Sequence, residues 1–523
     1  MIAKSESQSI YSFTMKAIFS ILFFSLAISI SYAQEPADAL RYSYLTQPGG
    51  TARNQAIGGA GGSLGGEFTS LFINPAGLGF YKTGDFVVTP SFSLKNSNAT
   101  YLGNPQSAKD NSFNVGATGF VLSSPSRNNG SVKNFSIGFG VNRVADYNNH
   151  IYYKGKNNNS SFSEKYLEQL ADDKVSDPNA AANNYPDGAS LAFNTYLIDP
   201  VYNADSIVTG YSTVANPASG LTQENTINTT GGITDASIGA GLNVKDKLYF
   251  GGSLSFPFLR YDRNASYKES DASGNTNNDF NYFEANETLT TKGIGVNGKF
   301  GVIYKPVEQA RIGLAIHTPT WYQLTDDYSI EVITNLEGRG NWHQSNTDFS
   351  DGQPLETKYN LTTPMRFILS GSYLFAVNPE NVQNQHGFVT ADVEYVNYKG
   401  MSFRDVNNDQ DAAAYFSSLN KTMDNLYKNA FNARLGGEIK FNTFMVRLGG
   451  AYYGNPYQNE TSSVMKVTGG IGYRNRGFFM DLAYVYSMAK DIHYPYLLED
   501  KPNAPAYLKN NGGNIVATIG FKL

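Results

Sequence analysis

A strict alternation of apolar and polar residues is the feature that most constrains this chain. Between Phe431 and Phe441 every second residue is apolar or glycine, and the residues between them include charges of both signs. Successive side chains of a β-strand point to opposite faces, so this period of two predicts a strand with one apolar and one charged face. The same alternation recurs in three further segments, at residues 389–398, 445–452 and 478–487.

A soluble β-sandwich also alternates, but three features favour a transmembrane barrel. The alternating segments are spread along the whole chain, and their polar faces carry both signs of charge, as a water-lined lumen permits. The chain also ends in an alternating strand that runs to Leu523, which is typical of proteins delivered to the outer-membrane barrel assembly machinery. Most such proteins end in Phe, whereas here Phe521 lies two places before the end.

The pattern predicts an all-β fold, a 14-stranded antiparallel transmembrane β-barrel that occupies residues 85–523. An even number of strands is the rule for bacterial barrels. The predicted strands are 85–97, 112–123, 134–146, 231–244, 247–267, 285–304, 309–335, 355–376, 385–403, 430–441, 443–456, 464–475, 477–489 and 512–523. Short and long connections alternate, which indicates periplasmic turns at one end and long extracellular loops at the other. Two loop helices are predicted, Glu164 to Leu170 capped by Ser163 and Tyr415 to Tyr427, either as lids or as local packing.

Residues 1–33 read as a cleaved signal peptide. Lys16 precedes an apolar run from Ala17 to Ile30, and Ser31-Tyr32-Ala33 supplies small residues at the cleavage positions. Met15 is an alternative start. No later stretch approaches the roughly 18 apolar residues of a helical span. The net charge of -5 from 40 basic and 45 acidic residues excludes the basic surface that nucleic-acid binding needs. The 36 Tyr residues suit a membrane interface.

Residues 34–84 differ from the strands that follow. A glycine-rich run at residues 58–66 leads to Asn74-Pro75-Ala76. The run lacks the Lys-Ser or Lys-Thr pair of a phosphate-binding loop and follows no predicted strand, so a nucleotide site is excluded. A compact, turn-rich segment of this length predicts a hatch inside a wide barrel.

These residues resemble the FadL family of outer-membrane transporters for long-chain fatty acids and other hydrophobic compounds, toluene-type transporters included. Asn74-Pro75-Ala76 matches the family's N-P-A motif. Three weaker matches are the strand–turn–strand at residues 301–320, Thr363-Pro364 before a later strand, and the third strand at residues 134–148.

The resemblance implies the passive transport of a hydrophobic small molecule across the outer membrane of a Gram-negative bacterium, among lipid and lipopolysaccharide. The ligand is expected to bind in an apolar lumenal pocket beyond the hatch and to leave sideways through the wall at a kink in the third strand. Gly138 and Gly140 are candidates for that kink, because glycine weakens a strand; ordinary barrel packing is the alternative. The competing function is a surface receptor, for example for hemin, that uses the barrel as an anchor.

Residues for other chemistry are sparse, so no catalytic residue, metal site or cofactor is predicted, and the chain is not expected to be an enzyme. The five histidines are scattered, and His317 is expected to end a strand at the membrane interface. Asp405, Asn407 and Asp409 imitate the start of a calcium-binding loop, but Gln410 replaces the required glycine and Phe416 the final Glu. A loop cation there is less expected than a solvated acidic loop.

Overall fold

The wall of the molecule is one closed antiparallel sheet, as seen in a computed structural model that describes residues 34–45, 49–126, 130–375, 386–406, 409–459 and 462–523. The predicted signal peptide lies outside the described residues. The strands are β1 (Asp85–Val88), β2 (Pro90–Tyr101), β3 (Asn104–Val115), β4 (Thr118–Pro125), β5 (Val132–Asp146), β6 (Asn149–Asn157), β7 (Ile198–Tyr202), β8 (Val208–Thr213), β9 (Leu221–Val244), β10 (Leu248–Asp271), β11 (Tyr282–Tyr304), β12 (Ala310–His317), β13 (Trp321–Asn335), β14 (Asn341–Ser345), β15 (Leu355–Thr362), β16 (Arg366–Phe375), β17 (Gly387–Val396), β18 (Ser402–Asp405), β19 (Ala430–Phe441), β20 (Phe444–Tyr453), β21 (Val464–Asn475), β22 (Phe478–His493) and β23 (Ala506–Lys522).

These segments form fourteen barrel strands, as predicted. Several barrel strands consist of two segments: β1 and β2 form the first, β3 and β4 the second, and β5 and β6 the third. Each barrel strand pairs with its neighbour in sequence, and β23 closes the cylinder by pairing with β1 and β2. The predicted short turns and long loops lie at opposite ends, so both ends of the barrel sequence lie at the short-turn end.

The outer face of the barrel is apolar and the inner face is charged, which reverses the arrangement of a soluble protein. On the outside Leu448 is 70% exposed and Phe431 63% exposed, while on the inside Arg447 and Asp481 are each 1% exposed. The apolar residues therefore form a belt around the cylinder of the kind that lipid covers in outer-membrane barrels. No helix among the described residues is long and apolar enough to cross a membrane.

The strands continue beyond this belt at the long-loop end, further than the alternation predicted. Residues 98–111, predicted as a loop, form the tip of the β2–β3 hairpin, and residues 149–157 and 221–230 are also sheet. The long loop between β6 and β9 carries the β7–β8 hairpin. Seven α-helices are present in the described part of the chain: α1 (Pro36–Ser43), α2 (Ala52–Ala56), α3 (Ser70–Ile73), α4 (Glu164–Asp172), α5 (Pro178–Asn183), α6 (Ala189–Asn194) and α7 (Gln410–Leu426). Short 3-10 helices lie at Pro75–Phe80, Pro217–Ser219, Glu337–Arg339, Asn346–Phe349 and Tyr398–Gly400.

Both predicted loop helices exist, as α4 and α7. Ser163 precedes α4, but its side chain makes no capping hydrogen bond. The α7 helix lies near the N-terminal segment, where the hydroxyl of Tyr427 donates to the carbonyl of Pro36 at 2.9 Å and Tyr415 donates to Gln34 at 2.6 Å. This helix therefore ties the start of the hatch to the barrel wall.

The hatch fills the lumen. The wall donates to hatch carbonyls on two sides, from Thr390 to Ala60 and from Thr468 to Ala56, both at 2.9 Å. The hatch in turn donates to the wall from the amide of Ala52 to the hydroxyl of Thr518 at 2.7 Å. Because these contacts lie around the circumference, the barrel does not hold an open pore at this level.

Candidate functional site

The Asn74-Pro75-Ala76 motif lies between the hatch and the wall. The Asn74 side chain accepts from the amide of Ala76 at 3.2 Å and donates to the carbonyl of Gly62 at 2.7 Å, so it caps the 3-10 helix that Pro75 begins and fixes the glycine-rich run. All three motif residues are buried. The motif is thus a packing element of the hatch, and no part of the chamber described below is lined by it.

Wall glycines allow this close approach. A Cβ atom on Gly301 would lie 1.8 Å from Oδ1 of Asn74, and one on Gly251 would lie 2.2 Å from the carbonyl carbon of Pro75. Neither position tolerates a side chain unless the hatch moves. Glycine here serves the contact between hatch and wall rather than a turn.

A buried cluster of charged residues connects the hatch to the barrel wall. Arg447 is fully buried between Glu438 and Asp481, with N–O distances of 2.6 Å to each carboxylate. Glu438 also pairs with Arg53 of the hatch at 3.3 Å. Removal of one member would leave an uncompensated buried charge, so the cluster fixes both the register of the wall and the position of α2.

Above the hatch lies a chamber of about 1050 Å³ enclosed by the wall, α1 and the long loops. Its lining is mixed rather than uniformly apolar, which corrects the predicted apolar pocket. Aromatic rings such as Tyr261 and Phe162 alternate with amides, hydroxyls and charged groups, including the Arg263–Glu287 ion pair at 3.1 Å. A lining of this kind suits a ligand that has both an apolar and a polar part.

Two lysines of the chamber have no carboxylate partner among the described residues. Lys466, on β21, is 7% exposed, and its ammonium makes no ion pair with any described carboxylate. Lys165, on α4, has its ammonium 3.9 Å from the centroid of the Phe162 ring. A partly desolvated cation without a counter-ion favours the binding of an anionic group.

The barrel wall is interrupted beside this chamber. The second and third barrel strands pair through β4 and β5 as far as Thr118 and Val141. Beyond that point β3 pairs with β2, and in the described part of the chain no ladder joins β3 to β5 or β6. The third strand breaks at residues 147–148, and β6 lies against both β2 and β3 without a backbone ladder to either in the described part of the chain. On the β2 side the Tyr101 and Tyr153 rings lie 5.0 Å apart.

The candidate glycines of the third strand lie below this interruption. Gly138 and Gly140 are paired on both sides, with β4 and with β9. A Cβ atom on Gly140 would lie 2.4 Å from the Phe68 ring of the hatch, so this glycine serves close packing. The pairing of this strand with β9 shifts register at two places, between Val132 and Asn134 and between Arg143 and Ala145.

Other predicted positions have structural partners. His317 ends β12 as expected, but it points to the hatch, not to the membrane interface: its Nε2 lies 2.7 Å from the carbonyl of Ile73. Asp409 accepts from the amide of Ala412 at 3.0 Å at the start of α7, and no group of three potential metal ligands was found in the described residues. Asn407 lies outside the described residues.

The long loops are anchored to the strand ends by Glu269. On β10 the apolar belt ends at Phe258, and Glu269 follows eleven residues later, outside the membrane-spanning part. Its carboxylate accepts from the hydroxyl of Ser161 at 2.5 Å and from the amide of Phe162 at 2.7 Å. Burial raises the pKa of Glu269 to about 7, although these hydrogen bonds act in the opposite direction. The loop that carries α4 is thus attached through a titratable group.

Sequence reasoning missed Lys466 and Lys165. The resemblance implied a kink in the third strand at Gly138 and Gly140, whereas the strand breaks at residues 147–148. The lysines are distant in sequence and lie in ordinary polar positions. An interruption is the absence of a pairing, which leaves no local pattern.

No protein-family model and no curated protein matches the sequence. Solved structures do match over almost the whole chain. A FadL homologue from Pseudomonas aeruginosa is 13% identical, with 91% of this chain and 98% of that chain covered and a TM-score of 0.52. The toluene transporter TodX from P. putida is 14% identical, with 91% and 99% covered and a TM-score of 0.51. The chain therefore has a FadL-like fold.

Proposed function

We propose that this chain is an outer-membrane channel for the passive uptake of a hydrophobic small molecule with an anionic end, of which a long-chain fatty acid is the simplest example. The observation that carries the proposal is the chamber above the hatch, which combines aromatic surface with the unpaired ammonium groups of Lys466 and Lys165. The similarity to a FadL homologue and to a toluene transporter supports the coarser statement, transport of a hydrophobic compound.

The proposed route starts at the long-loop end. An amphiphile enters the chamber, its head group binds at Lys466, and its apolar part lies against rings such as Tyr261. The hatch prevents direct passage through the lumen, so exit is sideways, between β3 and the third strand, into the bilayer. This route avoids exposing the apolar chain to water.

The hatch also supports a transporter over the receptor alternative. A barrel that serves only as an anchor does not need a segment packed into its lumen, nor the glycines of the hatch and of the inner wall that permit this close packing. An aromatic hydrocarbon remains the second candidate cargo, because of the similarity to TodX. It has no charge and would not use the lysines.

The test is uptake of a labelled long-chain fatty acid into liposomes that contain the protein, with labelled toluene and hemin as comparison ligands. Lys466→Met is expected to weaken fatty-acid binding about 10-fold or more, since hydrogen bonds to charged groups contribute about 1.5–3 kcal/mol. Lys292→Met is the matched control, because Lys292 is exposed and pairs with Asp327 outside the chamber.

Uptake of fatty acid that depends on Lys466 and not on Lys292 supports the proposal. Uptake of toluene alone, equal in both variants, would replace the anionic cargo by an aromatic hydrocarbon. No uptake of either compound, with hemin bound at the surface, would favour the receptor.

A further inference from the structure

The free edge of β3 faces an ion pair that joins the strands on either side of it. Lys95 lies on β2, in the first barrel strand, and Asp146 ends β5, in the third. Their Nζ and Oδ2 atoms are 3.0 Å apart, and the two side chains are 23% and 2% exposed. The pair therefore bridges the first and third strands across the second, at the level where the ladder between the second and third strands is missing.

The same two residues hold the break in the third strand. The ammonium of Lys95 donates to the carbonyl of Asn148 at 2.5 Å and to that of Asp146 at 3.3 Å. The carboxylate of Asp146 accepts from the Asn148 side chain at 2.7 Å. Because β5 ends at Asp146 and β6 begins at Asn149, these bonds fix the direction in which β6 leaves the wall.

Asp146 also contacts the free strand itself. The hydroxyl of Ser112, on β3, lies 3.4 Å from Oδ2 of Asp146. The carboxylate of the third strand thus contacts both the first and the second strand, at the level where no backbone ladder joins the second strand to the third. Its charge is balanced by Lys95, so loss of that partner would leave a nearly buried anion and favour movement of the third strand into solvent.

We propose that Lys95 and Asp146 form the latch of the side opening: the gap stays closed while the pair is intact, and it opens when Lys95 leaves Asp146. The proposal rests on the proposed function for its cargo. Lys95 and Asp146 both line the chamber. The anionic end of a bound amphiphile competes with Asp146 for the ammonium, so binding of cargo in the chamber releases the latch.

The first test needs no cargo. The chain has no cysteine, so a single thiol can report on the gap. Ala108→Cys places it on β3 at a position that is 7% exposed. Its rate of modification by a small thiol reagent is expected to rise about 10-fold with Lys95→Met or Asp146→Asn, the ratio that corresponds to 1.4 kcal/mol. The charge swap Lys95→Asp with Asp146→Lys is expected to restore the slow rate.

Ala285→Cys is the control for general loosening, because Ala285 is 2% exposed and lies on β11, away from β3. An increase at position 108 without one at position 285 supports the latch. Unchanged reactivity at 108 in both single variants, or an equal rise at both positions, would overturn it.

The second test links the latch to transport. Ser97→Cys with Asn149→Cys joins β2 to β6, since the side-chain oxygens of these residues are 2.9 Å apart, and it leaves Lys95 and Asp146 in place. The oxidised protein is expected to lose uptake and to regain it on reduction. Thr288→Cys with Ser329→Cys, on paired strands elsewhere, is the control that keeps uptake.

Wild-type-like uptake by the oxidised 97–149 protein would refute a role of this gap in transport. Absence of uptake in the wild-type protein would refute the proposed function while the thiol rates still decide the latch.

Discussion

Substitution of one wall glycine should loosen the hatch through a single contact. In Gly301→Ala the added Cβ would lie 1.8 Å from Oδ1 of Asn74, and an ordinary contact needs at least 3.4 Å. The Asn74 side chain must therefore give up its bonds to Ala76 and Gly62. The loss of two buried hydrogen bonds at about 1 kcal/mol each, with about 1 kcal/mol of overpacking, predicts a cost of about 3 kcal/mol to hatch docking.

The assay is hydrogen exchange of peptides from residues 49–84 in the purified protein, which measures the free energy of local opening. Gly371→Ala is the matched control, because a Cβ there meets nothing within 4 Å. In an Asn74→Ala background the clash is gone, so Gly301→Ala should then cost less than about 1 kcal/mol, a coupling of about 2 kcal/mol. An equal cost of Gly301→Ala in both backgrounds would refute the reasoning.

Three further substitutions test the charged groups. Arg447→Met leaves Glu438 and Asp481 without their shared cation, and it should lower the free energy of unfolding by about 3–5 kcal/mol in chemical denaturation; a loss below 1 kcal/mol would show that the cluster is not desolvated. The pKa of Glu269 is raised to about 7 from 4.5, so the folded loops bind the proton more tightly than the unfolded ones. Docking of the loops should therefore be strongest below pH 4.5 and weaken by about 3 kcal/mol up to pH 7, so proteolysis of residues 158–220 should become faster over that range. Glu269→Gln should remove this pH dependence. Lys165→Met should reduce fatty-acid binding while toluene uptake stays the same, and equal loss of both would assign the lysine to loop packing.

The count and place of the barrel strands were predictable because lipid and lumen impose opposite requirements on alternate residues. Where the strands leave the belt, both faces meet water, and the alternation ends. That is why residues 98–111 were predicted as a loop although Ser97 to Tyr101 pair with β3 and β23. The boundary of the alternation therefore marks the edge of the apolar belt, not the end of the sheet.

The candidate site was less predictable, because its parts come from distant segments. The N-P-A motif identified Asn74, but its wall partner Gly301 lies more than two hundred residues away. The latch joins Lys95 of the first barrel strand to Asp146 of the third, and no sequence motif links these two residues. A pattern with a period of two assigns a residue to the lumen but does not say which inward-facing residues meet.

Glycines on the inward face nevertheless carry information about the hatch. Gly436 and Gly449 face each other on β19 and β20, and a Cβ on either would lie within 2.7 Å of Ile57 in the hatch. Charged inward residues such as Arg447 lie at neighbouring positions of the same strands. An inner face that only lined water would have no reason to lack side chains at such positions, since a larger polar residue would be tolerated there. At Gly436 and Gly449, as at Gly251 and Gly301, the absence of a side chain thus marks where the hatch meets the wall rather than a bend in the strand.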